Sequence, residues 1–415
     1  MTEQEISRLG PEFAAYLGRF RPCFLQRRTV EHFDNYCRGL LSDLPRKSVE
    51  PIALAAGTAV RTLQEFLTTS AWDFAEVRDL HQQRIAGELG KVPAEPLGSV
   101  GVIDETSAVK KGDQTPGVQR QYLGCAGKVE NGIVTVHVSV ARGRFKSLLD
   151  ADLYLPESWD ADRPRCRDAG IPDDVRYRPK WQIALEQLAR LQANGIVFDW
   201  LTFDEGYGAA VPMLRVLNIA GQRFVAEVPK SFAVRSSAHG IARSAEERLP
   251  IVATRSWQRV RLVRQTLNDQ VWRVKAVRVW AAGRYQRLLA AVNEATGEVK
   301  YFLTNVLTGR LRRIVQVAFC RWNVEHVFRV GKQEAGLMHY EGRDYTGLMR
   351  HLTLGLVVMG FVSLHTERLR GEKPTSDDGT GVPSVECPLC RFAASPTGRP
   401  GSSAHERSDP IPSAA

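Results

Sequence analysis

Apolar residues recur at i, i+3 and i+4 through the first 95 positions, the spacing of amphipathic helices. P-E-F-A-A-Y-L-G-R-F and V-E-H-F-D-N-Y-C-R-G-L-L each predict one helix. I-A-L-A-A-G-T-A-V-R-T-L-Q-E-F-L predicts a third, closed by Thr68, Thr69 and Ser70, and Trp72 and Asp73 open the next. After the linker K-V-P-A-E-P-L-G the pattern becomes that of strands. S-V-G-V-I-D-E-T is a short apolar strand ending in Asp104 and Glu105. R-Q-Y-L-G-C-A-G-K-V and I-V-T-V-H-V-S-V-A predict two more strands, with Asn131-Gly132 as the hairpin turn between them. A Pro- and Asp-rich loop runs from Y-L-P-E-S-W-D to about Pro179. The helix K-W-Q-I-A-L-E-Q-L-A-R-L-Q-A-N follows, closed by Gly195. I-V-F-D-W-L-T-F-D-E-G-Y-G then predicts a second buried strand ending in an acid, Asp204. Gly206 and Gly208 would let its backbone turn and approach a ligand closely. The helix A-A-V-P-M-L-R-V-L-N and the strand R-F-V-A-E-V-P come next.

Between 230 and 300 the chain alternates Arg and Lys with Val, Trp and Leu, which predicts an antiparallel β-insertion with a basic face. K-Y-F-L-T-N-V adds a strand. R-W-N-V-E-H-V-F-R-V-G-K, Arg321 to Lys332, then reads as one helix. Arg321, Glu325 and Lys332 fall within about 40° on its wheel, while Val315, Phe319, Val327 and Val330 form an apolar stripe opposite. Such a charged stripe also decorates ordinary solvated helices. Leu352–Leu364 is too short an apolar stretch to span a bilayer and reads as a core helix. From Gly371 the chain turns to Gly, Pro, Ser, Thr and Asp without periodicity, which predicts a disordered tail over 371–415. Its single C-P-L-C, Cys387 and Cys390, lacks the second ligand pair of a structural zinc site.

Composition narrows the partners. The net charge of +10 favours an acidic partner, nucleic acid first. Arg27, Arg28, Arg38, Arg46 and Lys47 on the helical N-terminal block could meet DNA phosphates, although a plain helical scaffold fits that block equally. The acidic M-T-E-Q-E-I start carries no secretory signal, and the seven Cys are odd in number and mostly scattered. Both features fit a cytoplasmic protein with no membrane association.

Three acids stand in distinct settings: Asp104 and Asp204 at strand ends, Glu325 on a helix. A lone Asp at a strand end is commonly a cap. Three carboxylates brought together would instead suit phosphodiester chemistry. Two divalent ions about 3.5–4 Å apart activate the attacking oxygen and stabilise the leaving one, and they need hard oxygen ligands. A basic surface beside them would hold the polyanion.

Arg321, Glu325 and Lys332 carry the spacing of the tyrosine-arginine-glutamate-lysine signature of the insertion sequence 4 group of DDE transposases. L-P-R-K-S-V-E-P, F-L-T-T-S-A-W-D, V-I-D-E-T, R-Q-Y-L-G, Y-L-P-E-S-W, D-E-G-Y-G and R-W-N-V-E-H-V-F-R-V-G-K-Q-E-A-G-L together resemble the insertion sequence 701 family of transposases over about residues 15–365. The resemblance implies an α/β protein with an RNase H-like catalytic core, a β-strand insertion and a helical N-terminal domain. The expected division is a DNA-binding region at 1–95, core at 96–229, insertion at 230–300, core helices with the catalytic Glu at 301–370, and tail at 371–415. It implies Asp104, Asp204 and Glu325 as catalytic metal ligands for two Mg²⁺ ions, with Mn²⁺ substituting. It implies Arg321 and Lys332 as DNA contacts. Trp257, Trp272 and Trp280 would stack a flipped base, unless they are simply the apolar face of the insertion. The implied activity is cleavage at insertion-sequence ends and strand transfer to target DNA, by a homodimer on double-stranded DNA in the bacterial cytoplasm. A catalytically inactive relative that only binds ends is the alternative. The signature Tyr is Ala318 here, Glu205 adds an acid next to Asp204, and the tail departs from the family.

Overall fold

The computed structural model describes residues 3–93, 96–251, 257–262 and 270–371. Five helices open the chain: α1 Glu3–Gly18, α2 Arg27–Leu41, α3 Val49–Ala55, α4 Val60–Thr68 and α5 Phe74–Leu89. The run predicted as one helix from Ile52 is two, because Gly57 takes φ +63° between α3 and α4. Asp73 caps α5 through Ala75 N at 2.8 Å, as its position predicts.

The strands are β1 Val100–Val109, β2 Gln119–Leu123, β3 Lys128–Arg142, β4 Phe145–Leu153, β5 Trp200–Phe203 and β6 Phe224–Val228. A two-stranded ribbon follows, β7 Ala233–Val234 and β8 Arg243–Ser244. Then come β9 Gln258–Leu262, β10 Gln270–Ala281, β11 Arg284–Asn293 and β12 Val299–Thr304. Short helices α6 Glu157–Asp160 and α7 Arg163–Asp168 lie in the Pro-rich loop, with α8 Lys180–Ala193, α9 Glu205–Gly208, α10 Val211–Ile219 and α11 Ala245–Arg248 beyond. The chain closes with α12 Leu311–Phe319, α13 Trp322–Glu334 and α14 Tyr345–Gly371.

One sheet organises these elements, in the order β2-β3-β1-β5-β6-β12-β11-β10-β9, with β4 also on β3. β1, β3 and β4 form an antiparallel meander, and β5 and β6 continue it in parallel with β1. The order β4-β3-β1-β5-β6 is the RNase H-like arrangement. The insertion strands do not form a separate layer: β12 pairs with β6 and extends the same sheet to β9. Asn131-Gly132 is not the hairpin turn. It lies within β3, and the turn falls at Gly124–Gly127, where Gly127 has φ +63°. Gly132 is there because a Cβ would stand 2.2 Å from the Ala108 carbonyl of β1.

Strand alternation sends one row of side chains to each face. Ile103, Leu201, Phe203, Ala226 and Leu303 face α8 and α10. Val102, Trp200, Val225, Phe302 and Trp272 face α12 and the core shared by α1–α4 and α14. The window Tyr345–Thr366 in α14 is long and apolar enough to cross a membrane, but 89% of it is buried inside the protein, so it is the expected core helix.

Three histidines lie fully inside this core. His81 Nε2 meets Leu148 O at 3.1 Å, His351 lies between Tyr36 Oη at 2.9 Å and Gly336 O at 2.9 Å, and His137 Nε2 meets Thr135 Oγ1 at 2.7 Å. Burial pushes His81 down to about 4, and His137 and His351 down to about 3. The folded state therefore holds them neutral, whereas the unfolded chain protonates them near pH 6.5. Their contribution to stability is complete above about pH 6.5 and is lost as pH falls toward the folded values. At pH 5 the loss is about 2 kcal/mol for each ring. Urea midpoints measured at pH 7 and pH 5 should fall steeply; an unchanged midpoint would show that the rings are not held neutral.

Candidate active site

Register brings the acids together. The β1–β5 pairing ends at Ile103↔Phe203, and β5–β6 ends at Phe203↔Ala226. The next level across three neighbouring strands is therefore Asp104, Asp204 and Glu227. All three share the alternation of Val102, Thr202 and Val225, so they project to the face that carries α12 and α13. Asp104 is not the end of its strand. β1 continues to Val109 against β3, and Asp104 pairs with His137. It lies where the neighbouring strand β5 stops.

Asp204 is indeed a cap: its Oδ1 accepts from Gly206 N at 3.0 Å and Tyr207 N at 3.3 Å at the start of α9. The motif D-E-G-Y-G makes that turn. Gly208 approaches the protein's own β6 rather than a ligand, for a Cβ there would lie 1.8 Å from the Glu227 carbonyl oxygen. Tyr207 is buried, and its hydroxyl has no hydrogen-bond partner among the described residues. Burial pushes that phenol up, helped by Glu105, Asp104 and Asp204.

The helix expected from Arg321 is split from the preceding apolar turns. α12 ends at Phe319, and Arg321 is the N-cap of α13. Phe319 packs on Phe302 and Trp272 of the sheet, with centroids 5.7 and 4.7 Å away, which sets the end of α12 above the acid row. Ala318 is buried where α12 crosses β5, its carbonyl accepting from Thr202 Oγ1 at 3.4 Å. α13 lies over β1 and β3, with Phe328 edge-on to His137 at 5.1 Å. Its far end is held by a residue of the loop between α2 and α3. Lys47, expected on the surface, is 2% exposed, and its ammonium donates to Leu40 O and Glu334 O. Gly336, with φ +60°, leaves room for it: a Cβ there would stand 2.6 Å from Lys47 Cβ.

Arg321 straddles the row. Its guanidinium lies 3.3 Å from Asp104 Oδ2, 4.0 Å from Glu227 Oε2 and 3.9 Å from Glu325 Oε1. Burial pushes Asp104 up to about 7; Arg321 opposes the rise and Asp204 adds to it. Lys332 is half-buried, and burial lowers it while Cys125 and Asp104 hold it up. Glu325 stands apart: its side chain is 62% exposed and, among the described residues, meets the others through Arg321. Thus the structure joins Asp104 to Asp204 and adds Glu227, which the sequence shows only as one residue of the strand R-F-V-A-E-V-P. The available signal was one acid within the apolar run F-V-A-E-V. Among the described residues no three acids, His or Cys converge closely enough to hold a metal ion as they stand. Asp104 and Asp204 nonetheless fit a divalent cation: hard oxygen donors at one level of adjoining strands, like charges in mutual repulsion.

The three tryptophans are elsewhere. Trp272 is fully buried against Phe319. Trp257 lies between Arg273 and Lys275, at 5.6 and 4.6 Å, and alternation puts those two on the face opposite the acids. Trp280 sits at the other end of the sheet: Ala276, by register, shares the level of Glu227, and Trp280 is four residues away from the acid end. The apolar-face reading describes Trp272, and none of the three is placed to receive a base beside Asp104. The basic face is partly self-neutralised, Arg259 pairing with Glu294 at 2.7 Å. Cys23, Cys37, Cys125, Cys166 and Cys320 are free thiols; Cys387, Cys390 and the predicted tail lie outside the described residues.

An RNase H-like sheet with paired acids where β1 and β5 part is the architecture of a nuclease-type catalytic core. Residues 19–289 match the family described as DDE superfamily endonuclease, and the chain belongs to that family. The matched span includes Asp104, Asp204 and Glu227, but not α13. The chain is 34% identical over 209 residues to a probable transposase for insertion sequence element IS701 from Microchaete diplosiphon, covering 49% of this chain and 51% of that protein. It thus spans about half the length of the curated relative it matches, in keeping with the insertion sequence 701 resemblance. Among solved structures, the NurA nuclease from Sulfolobus solfataricus aligns over 73% of this chain and 95% of its own. That alignment has a TM-score of 0.25 at 7% identity.

Proposed function

We propose that this chain is a DDE transposase that cuts double-stranded DNA at insertion-sequence ends and joins those ends to target DNA. The observation that carries this reading is the placement of Asp104 and Asp204 at the same level, where β5 ends beside β1. Those two residues would hold Mg²⁺, two ions serving the attacking and the leaving oxygen, and Glu325 would complete the set. When bound, Mg²⁺ supplies activation of the attacking oxygen and neutralises charge at the leaving one. The chain's own cations do the rest. Lys332, half-buried near Asp104, would hold a phosphate beside the acids, and the guanidinium of Arg321 would brace the scissile strand. Two copies on paired ends are the expected assembly.

The test is incubation with Mg²⁺ and DNA carrying the inverted repeats that flank the coding region. Nicks at the repeat boundaries are expected, and Glu325→Gln should lose them while still shifting end DNA in a gel. A second reading, a relative that binds ends without cutting, is favoured by the exposed position of Glu325 and by Ala318. End binding without cutting in either Mg²⁺ or Mn²⁺ would establish that reading instead.

A further inference from the structure

We propose that Glu227 is a positioning residue: it shares the Arg321 guanidinium with Asp104 and so sets how strongly the Asp104–Asp204 pair takes a divalent cation. This rests on reading that pair as a cation site.

The geometry has three parts. Glu227 stands on the same level and face as Asp104 and Asp204, one strand beyond Asp204. Its carboxylate is divided between two cations, Lys300 Nζ at 2.6 Å and Arg321 Nε at 4.0 Å. Its backbone is held against the Asp204 turn by Gly208, where no Cβ fits. Glu227 therefore keeps a constant relation to the acid pair, whatever moves above it.

Arg321 is the cation that Asp104 and Glu227 share. It is the N-cap of α13, just past the break after α12, and its side chain is 19% exposed. A guanidinium so enclosed is costly without a carboxylate partner. In the structure it leans on Asp104, and a cation at Asp104 must compete with it there. Glu325 also reaches Arg321, at 3.9 Å, but its side chain is 62% exposed; Glu227, 16% exposed, supplies the second enclosed carboxylate, so Arg321 can give up Asp104 and keep a buried partner. Remove that carboxylate, and Arg321 rests on Asp104 more firmly.

The experiment is a double-mutant cycle on the full chain, read by Mn²⁺ binding in electron paramagnetic resonance titrations without DNA. Glu227→Gln is expected to weaken Mn²⁺ about tenfold. Arg321→Gln is expected to tighten it, and adding Glu227→Gln to Arg321→Gln should then change the Kd by less than about twofold. An equal loss in both backgrounds would overturn the proposal, since Glu227 would then act directly, through its own charge or as a ligand. If Glu227→Gln does not fold, Glu227→Gln with Lys300→Gln removes both members of the inner pair and is tested in the same cycle. Asp104→Asn separates the two levels of inference. Mn²⁺ binding that survives Asp104→Asn overturns the cation-site reading; binding lost in Asp104→Asn but additive in the cycle overturns only the role of Glu227.

Discussion

Asp104→Asn is expected to abolish Mg²⁺-dependent DNA cleavage, by at least about a thousandfold, while the protein stays folded. The substitution keeps the shape of the side chain and its acceptor for Glu105 N, at 2.8 Å in the native protein. It removes the charge that a cation needs and that Arg321 now leans on. Stability should not fall. Burial raises Asp104 to about 7, so above that pH the folded protein carries a carboxylate that it disfavours, whereas the unfolded chain ionises the group freely. A neutral Asn escapes that penalty, and at pH 8 the thermal midpoint is expected to hold or rise. Cleavage rates and melting curves on the same preparation decide the matter. Undiminished cleavage would remove Asp104 from the site, and a large drop in midpoint would mean that the lost activity reports unfolding.

The second large effect is on stability. Gly208→Ala would place a Cβ 1.8 Å from the Glu227 carbonyl oxygen and 2.9 Å from its carbon. The obstacle is backbone, which cannot swing away as the end of a side chain can. Either α9 or β6 must shift, at a cost of about 3 kcal/mol or more. Gly206→Ala in the same motif is the control, since its Cβ would meet only Asp204 Oδ1 at 3.3 Å. Denaturant titrations should therefore separate the two variants clearly. Equal midpoints would refute the close approach of α9 to β6.

Both predictions start from motifs visible in the chain, yet neither could be argued from the chain alone. V-I-D-E-T and D-E-G-Y-G showed an acid at the close of an apolar run, and the resemblance to insertion sequence 701 transposases gave those acids a role. The same reading put Lys47 on the surface, where it is a buried donor at the end of α13. It made a turn of Asn131-Gly132, which lies within β3, and it left Trp272 open between a base platform and the apolar face that it proves to be. In each case the residue type was read correctly for an isolated segment, and a partner from a distant segment reassigned it.

Periodicity, Gly and Pro punctuation and the order of the strands are local properties, so the sequence by itself determined the change from helices to strands near 100, the β-rich stretch before α12 and an acid closing the apolar run of β5. Strand register and the choice of face are collective. They follow from which rows of side chains bury together, and a shift of one residue would send the whole row to the other side. Only the tertiary structure therefore decided that Glu227 stands level with the two aspartates, that Arg321 bridges Asp104 and Glu227 from the break between α12 and α13, and that Glu325 remains at the rim.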